Sequence, residues 1–266
     1  ILSTIKMNLS DGLLKTLDTT SNLNQKIAKT NTEAYEFYLK GKYKYSKREN
    51  KEDKEICIGV FQKAIELDEN LLNARGMLGW IYMSSDEYDK SMKYFTETLK
   101  RANKLDDKLM MAYAYQSIST CLSRSKKEYD EALKMNYKAL EICKEIDSKR
   151  GIAGVLIRLG VVYGNQHLYD KALEYSFSSL EIFKEIGDEK NYPLGHIGHI
   201  FNRIGDNDRA LKYQQEFLAI QEKIDYKPMV SITLIKIAVI YDEVGEYDKA
   251  LDYANRSLLI AKKLGD

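Results

Sequence analysis

The sequence predicts an all-α protein, a right-handed α-α superhelix built from about six stacked helix-turn-helix units. Three observations carry this. A short phrase returns along the chain as EYDKSM (87–92), EYDEAL (128–133), LYDKAL (168–173), DNDRAL (206–211) and EYDKAL (246–251). The small residue at its fifth place, Ser91, Ala132, Ala172, Ala210 and Ala250, recurs at steps of 41, 40, 38 and 40 residues. A fixed period of this size marks stacked supersecondary units. Between the phrases the apolar residues follow helical spacing, and only Pro193 and Pro228 stand in 266 residues to interrupt a helix.

The last unit shows the logic most clearly. SITLIKIAVIYDEVG (231–245) places Ile232, Leu234, Ile235, Ile237, Ala238, Ile240 and Tyr241 on a wide apolar face. Gly245 is the expected stop, because glycine takes the left-handed conformation cheaply. A second helix follows, marked by Leu251, Ala254, Leu258, Leu259 and Ala261, with Gly265 as its stop. Ala250 belongs where two antiparallel helices approach closely. A second column of small residues, Gly79, Ser119, Gly160, Gly198 and Ala238, does the same for the first helices. Each lies twelve residues before its partner, except Ser119, which lies thirteen before Ala132. Glycine inside a helix costs roughly 1 kcal/mol relative to alanine, so close packing is the reason to expect it there.

These motifs resemble the tetratricopeptide repeat. MLGWIY followed by DKSMKYF (77–95) has the order Leu-Gly-x-x-Tyr and then Ala-x-x-x-Phe, with Ser91 in the alanine place; RLGVVY and KIAVIY, each followed by YDKAL, fit the same frame. An earlier unit, EAYEFYLKGKY to CIGVFQKAIELDEN, carries Gly41, Phe61 and Ala64 and a polar insert, SKRENKED. The units run roughly over 33–70, 71–105, 109–148, 151–188, 190–227 and 229–266, within a repeat domain at 31–266. Units three to six are longer than the usual repeat, and Asn136, Ser176, Gln214 and Ala254 fill the phenylalanine place. This longer form is similar to the repeats of LGN-like, kinesin-light-chain-like and Rap-like regulators. Residues 1–30 lack the repeat and are expected to form a helical cap or linker. The phrase NTEAYEFYLKGKY resembles the opening of this region in bacterial multidomain signalling proteins, where a cyclase, kinase or winged-helix domain precedes it. By that resemblance the chain is part of a larger protein.

Composition narrows the function classes. With 41 basic and 40 acidic residues the formal charge is +1, without the global electropositive footprint of a nucleic-acid binder. No apolar run approaches a membrane span and no secretory leader is visible. Cys57, Cys121 and Cys143 are odd in number and widely spaced, which fits a reduced cytoplasmic setting rather than a disulfide framework or a zinc site. His196 and His199 share a helical face but have no third ligand nearby in sequence. Cys121 falls on a core-facing stretch with no base beside it. The glycine-rich phrases GIAGVLIRLG and GHIGHIF sit inside helices, not between a strand and a helix as a phosphate loop requires. No enzyme, metal or cofactor is therefore expected.

The resemblance implies that the first helices line a concave groove that binds a protein or peptide. Carried over residue by residue, the groove places fall on Tyr35, Tyr38, Lys42, Tyr45, Asn73, Trp80, Met83, Tyr113, Gln116, Arg124, Arg158, Asn165, His196, His199, Asn202, Arg203 and Lys236. Aromatic residues gather toward the N-terminal end and cationic ones toward the middle and beyond. Only Asp242 and Glu243 supply acids, both in the last unit, so the expected segment is acidic. A Rap-like regulator taking a small peptide signal and a self-assembly module are the rival readings. The latter arises because Leu251, Leu258 and Leu259 would face a following helix, or another chain, in a stacked array.

Overall fold

The computed structural model describes residues 31–46, 51–188 and 192–264. Of these, 86% are helical, in twelve α-helices with no strand among the described residues. The helices come as consecutive pairs: α1 (Thr32–Ser46) with α2 (Lys51–Leu67), α3 (Leu72–Met83) with α4 (Tyr88–Lys104), and α5 (Lys108–Cys121) with α6 (Tyr129–Glu145). Then come α7 (Lys149–Asn165) with α8 (Tyr169–Glu185), α9 (Tyr192–Ile204) with α10 (Asn207–Lys223), and α11 (Lys227–Glu243) with α12 (Tyr247–Leu264). Each helix packs chiefly on its neighbours in sequence, and the pairs stack into a right-handed superhelix. The cap or linker expected at 1–30 lies outside the described residues, as does part of the polar insert after α1.

The small-residue columns are where each pair interlocks. A methyl group on Gly79 would stand 2.4 Å from the Phe95 ring, and one on Gly41 would stand 2.7 Å from Phe61. Both phenylalanines are fully buried. Further along, the partner of the column is polar: Gly160 faces the Ser176 hydroxyl and Gly198 faces the Gln214 side chain. Ser91 is buried and donates to the Gly79 carbonyl at 2.8 Å, which fastens the two columns of its unit together. The thirteen-residue spacing in unit three has a visible cause. Residues Leu122–Lys126 form a π-helical turn after α5, which absorbs one extra residue and brings Ala132 back into its buried place.

The turns follow one device. A residue one to three places after the helix end adopts positive φ, and glycine supplies it at Gly187, Gly205 and Gly245. Elsewhere the same conformation falls on Asp86, Asp106, Asp147 and Asp225, on His167, and on Lys127 after the π-helical turn. Aspartate tolerates the left-handed region better than most residues but still at a cost. Asp107, Ser148 and Asp206 then cap the next helix, each side-chain oxygen accepting from a backbone N–H three residues on.

Two stability outcomes follow from these contacts. Gly79→Ala must push the Phe95 ring out of its seat and is expected to cost on the order of 1–3 kcal/mol in chemical denaturation, with helix content unchanged. At the turns, Asp225→Gly is expected to stabilise and Gly205→Ala to destabilise, each by roughly 1 kcal/mol in thermal unfolding.

Candidate recognition groove

The first helices α3, α5, α7, α9 and α11 contact one another in succession, more than the second helices do, so they form the inner wall of the curve. Side chains from successive units overlap along this wall. A methyl on Gly76 would meet the Tyr113 ring at 2.8 Å, so Tyr113 of α5 lies directly on α3. His196 of α9 lies over Gly160 of α7 more loosely, 3.5 Å from where a Cβ would be. The absence of a side chain at Gly76 is what lets the Tyr113 ring of the next unit sit on the backbone.

At the N-terminal end the wall is aromatic. Tyr35 and Tyr38 stack obliquely, Tyr38 also meets Phe61, and Lys42 sits 5.5 Å above the Tyr38 ring. Trp80 and Tyr113 both contact the Phe95 ring edge-on. Burial pushes the Tyr38 hydroxyl up to about 12 and Tyr113 higher still, so both are neutral donors at any physiological pH.

The centre of the wall is cationic. Arg158, on α7, reaches across unit three to lie 5.7 Å above the Trp80 ring of unit two. Its pKa is lowered by burial and by the neighbouring Arg124. Burial also lowers Lys236. His199 is lowered by burial and by Lys236 and Arg203. His196 falls to about 3 through burial together with His199, Lys236 and Arg158. Ser176 uses its only hydroxyl proton on the Ala172 carbonyl at 2.6 Å and stands 2.8 Å from His196 Nδ1. That nitrogen must therefore be the donor, which leaves Nε2 as the free acceptor of a neutral ring. No ion pair forms with Arg124, Arg158, Arg203 or Lys236 among the described residues.

The sequence-derived places divide accordingly. Trp80, Tyr113, Arg124, Arg158, His196, His199, Arg203 and Lys236 fall into one aromatic-cationic tract, and Gln116 borders it, facing Gly154 of α7. Two places need correction. Met83 is 1% exposed and belongs to the core between units two and three; as the last residue of α3 it points at the stack, not at solvent. Tyr38 is largely buried in the first core cluster and offers little more than a ring edge. Tyr45 packs beside that cluster, while Asn73 and Asn165 are exposed at helix ends away from the central cations. Asn202 donates to Asn207 at 3.4 Å and to Glu243, so it links α9 to α10 and α11. Arg203 lies 3.3 Å from His167 Nδ1, which in turn is 2.8 Å from the Tyr169 hydroxyl. His167 was not among the sequence-derived places; its left-handed backbone at the end of α7 is what turns it toward Arg203.

Cys121 is fully buried, its thiol pushed up by burial and 3.3 Å from the Ser91 hydroxyl. It is a core thiol and not a poised thiolate. No group of three metal-binding side chains occurs among the described residues, and none of their helices is long and apolar enough to cross a membrane.

The His196 shift has a signed consequence. The folded state keeps His196 neutral down to about 3, whereas the unfolded chain takes up the proton below about 6.5. Its contribution to stability is therefore complete above pH 6.5 and is lost as pH falls toward 3, by up to about 1.4 kcal/mol per pH unit. His196→Gln is expected to flatten the decline in stability between pH 6.5 and 4.5, as read by denaturant melts at each pH. An unchanged slope would place the neutral imidazole elsewhere.

Comparison with known proteins agrees with this geometry. Residues 191–263 and residues 72–105 match family profiles described as tetratricopeptide repeat. No curated protein sequence matches the chain. Among solved structures, the apo form of RapI superposes with a TM-score of 0.58 at 19% identity, over 87% of this chain and 98% of that one. A Rap protein complexed with Competence and Sporulation Factor gives 0.62 at 17% identity, over 87% and 76%. BtubC from P. vanneervenii gives 0.55 at 19% identity, over 91% of each. At these identities the likeness is one of fold. Repeat period, interlocked helix pairs and profile matches agree: residues 72–105 and 191–263 are tetratricopeptide repeats, and the described helices stack as a solenoid of that fold.

Proposed function

We propose that residues 31–266 act as one interaction module that takes a protein or peptide segment along the inner wall, with acidic residues of that segment over the central cations. The observation that carries this reading is the tract around Arg158 and Lys236: burial lowers both, Arg124 lowers Arg158 further, and neither meets a carboxylate among the described residues. A like-charged, half-buried cluster costs stability in the free protein, and an anion relieves that cost on binding. Arg158 keeps its guanidinium edge for two parallel hydrogen bonds to a carboxylate while its face lies on Trp80. The adjoining rings of Trp80 and Tyr113 suit an aromatic or apolar anchor beside the acid.

Support for a protein or peptide ligand also comes from the fold: one structural neighbour, a Rap protein, is complexed with Competence and Sporulation Factor. We read the module as one that recognises its ligand and does not turn it over. Its place is a sensory or scaffolding part of a larger cytoplasmic protein.

An array of labelled peptides that differ only in charge tests this. Acid-rich members are expected to bind and charge-reversed members to fail. Arg158→Gln with Lys236→Gln should weaken the best binder tenfold or more, about 1.4 kcal/mol, with circular dichroism unchanged. Rising salt should weaken wild-type binding. Equal binding of acidic and basic members would refute the reading.

A further inference from the structure

The second helices repeat a pair of apolar places one and eight residues after the small residue. These are Met92 and Leu99, Leu133 and Leu140, Leu173 and Leu180, Leu211 and Leu218, and finally Leu251 and Leu258. In the first four pairs the next unit's first helix covers them. Leu211 and Leu218, for example, pack with Val230, Leu234 and Ile237, and Leu173 and Leu180 pack with Leu194, Ile197 and Phe201. On α12 the same two places are 62% and 50% exposed, against 6% for Leu218. The face is therefore a continuation of an interface used throughout the molecule. It also carries an addition. The next residue, Leu259, is 61% exposed where the earlier units have Lys100, Glu141, Glu181 and Ala219. An exposed leucine at a place where three of the four earlier units put charge is not explained by the stacking pattern.

We propose that this face of α12 is the contact between two copies of the chain, paired antiparallel about a two-fold axis between Ala254 and Asn255. The order of residues along the stripe is self-complementary. About that axis Leu251 of one copy meets Leu258 of the other, and Leu258 meets Leu251, so each leucine has a leucine partner. Ala254, the small residue at the crossing, lets the helices approach. Tyr247, exposed at the start of α12, meets Lys262 of the second copy, a cation over an aromatic face. Asp248 in the first turn comes beside the same lysine, and both helix dipoles oppose. A parallel pairing would instead set Asp248 on Asp248 and Lys262 on Lys262. Charge thus selects the antiparallel arrangement, and an isologous contact of this kind closes at two copies. The proposal does not depend on what the inner groove binds.

Sedimentation equilibrium of the whole chain across a concentration series tests it. The mass should rise toward twice the monomer value. Leu251→Glu with Leu258→Glu should raise the dissociation constant at least tenfold, with circular dichroism unchanged. Leu259→Lys, a milder change at an exposed position, should weaken it in the same direction. Register is read by cysteine cross-linking: Asn255→Cys should link to itself, and Tyr247→Cys should link to Lys262→Cys only when the two variants are mixed. A monomer at every concentration would overturn the proposal and assign the face to another partner or to a segment of the same chain. A dimer indifferent to the leucine variants, or one that links Tyr247→Cys to itself, would overturn it as well.

Discussion

Everything in this molecule depends on how closely the two helices of a unit can approach. The limit is set by two residues twelve apart, one on each helix, which must both be small. Where Gly79 faces Phe95 or Gly41 faces Phe61, a ring occupies the space that a single methyl would close. The spacing is defended even when the sequence violates it. Unit three has one residue too many, and the chain takes a π-helical turn at Leu122–Lys126 instead of displacing Ala132 from the core. A π turn is poorer in hydrogen-bond geometry than the α-helix it interrupts. Its presence shows that the interlock outweighs the local backbone cost.

The interlock also determines where charge can be neutralised. Second helices and turns present alternating signs to solvent, and the ion pairs gather there, as in Lys90 with Glu87, Arg101 with Glu97, Lys134 with Glu131 and Arg209 with Asp206. Most of these are exposed pairs one helical turn apart and contribute little individually. The first helices pair at their starts, as Lys108 does with Glu145 and Arg150 with Asp188, but Arg158 and Lys236, farther along, make no such pair among the described residues. Arg158 therefore finds an aromatic face in place of a carboxylate, and Lys236, His196 and His199 find one another. A chain that is almost neutral overall thereby acquires a cationic inner wall. Neutral sums conceal such a wall because the compensating acids lie on the other side of the superhelix.

Much of this was legible in the sequence, and the reasons for the rest are physical. The recurring phrase and the small-residue columns are enough to specify helix pairs and their stacking, because the columns encode the interlock itself. The helix stop at Gly245 is readable from glycine's ease in the left-handed region, whereas the stops at Asp147, Asp225 and His167 are not, since aspartate and histidine enter that region less freely than glycine and occur in many other settings. In the groove, place-by-place transfer named Trp80, Arg158, His196 and Lys236, which all stand on first helices, but it misjudged depth elsewhere. Met83 sits at the end of α3, where the helix turns into the stack, and one residue of rotation separates groove from core. The contact of Arg158 with Trp80 was beyond sequence reasoning altogether. It joins residues two units apart and depends on the curvature of the stack.

The neutral state of His196 ties these levels together. Ser176 stands in the place that Phe95 holds in unit two, and it orients the imidazole by accepting from Nδ1 while donating to Ala172. A phenylalanine there could not do this, so the exchange of an apolar residue for a small polar one under the wall fixes the tautomer of a residue upon it. With Arg158 and Lys236 nearby, protonation of that ring adds charge to an already like-charged tract. An anion bound over the tract reverses the sign of this term. By linkage, binding of an anionic segment must then raise the His196 pKa, and falling pH must favour binding even as it disfavours the empty fold. The polar column beneath the wall is thus more than a departure from the repeat pattern. It orients His196, whose charge state is coupled to that of His199, Lys236 and Arg158 on the wall above.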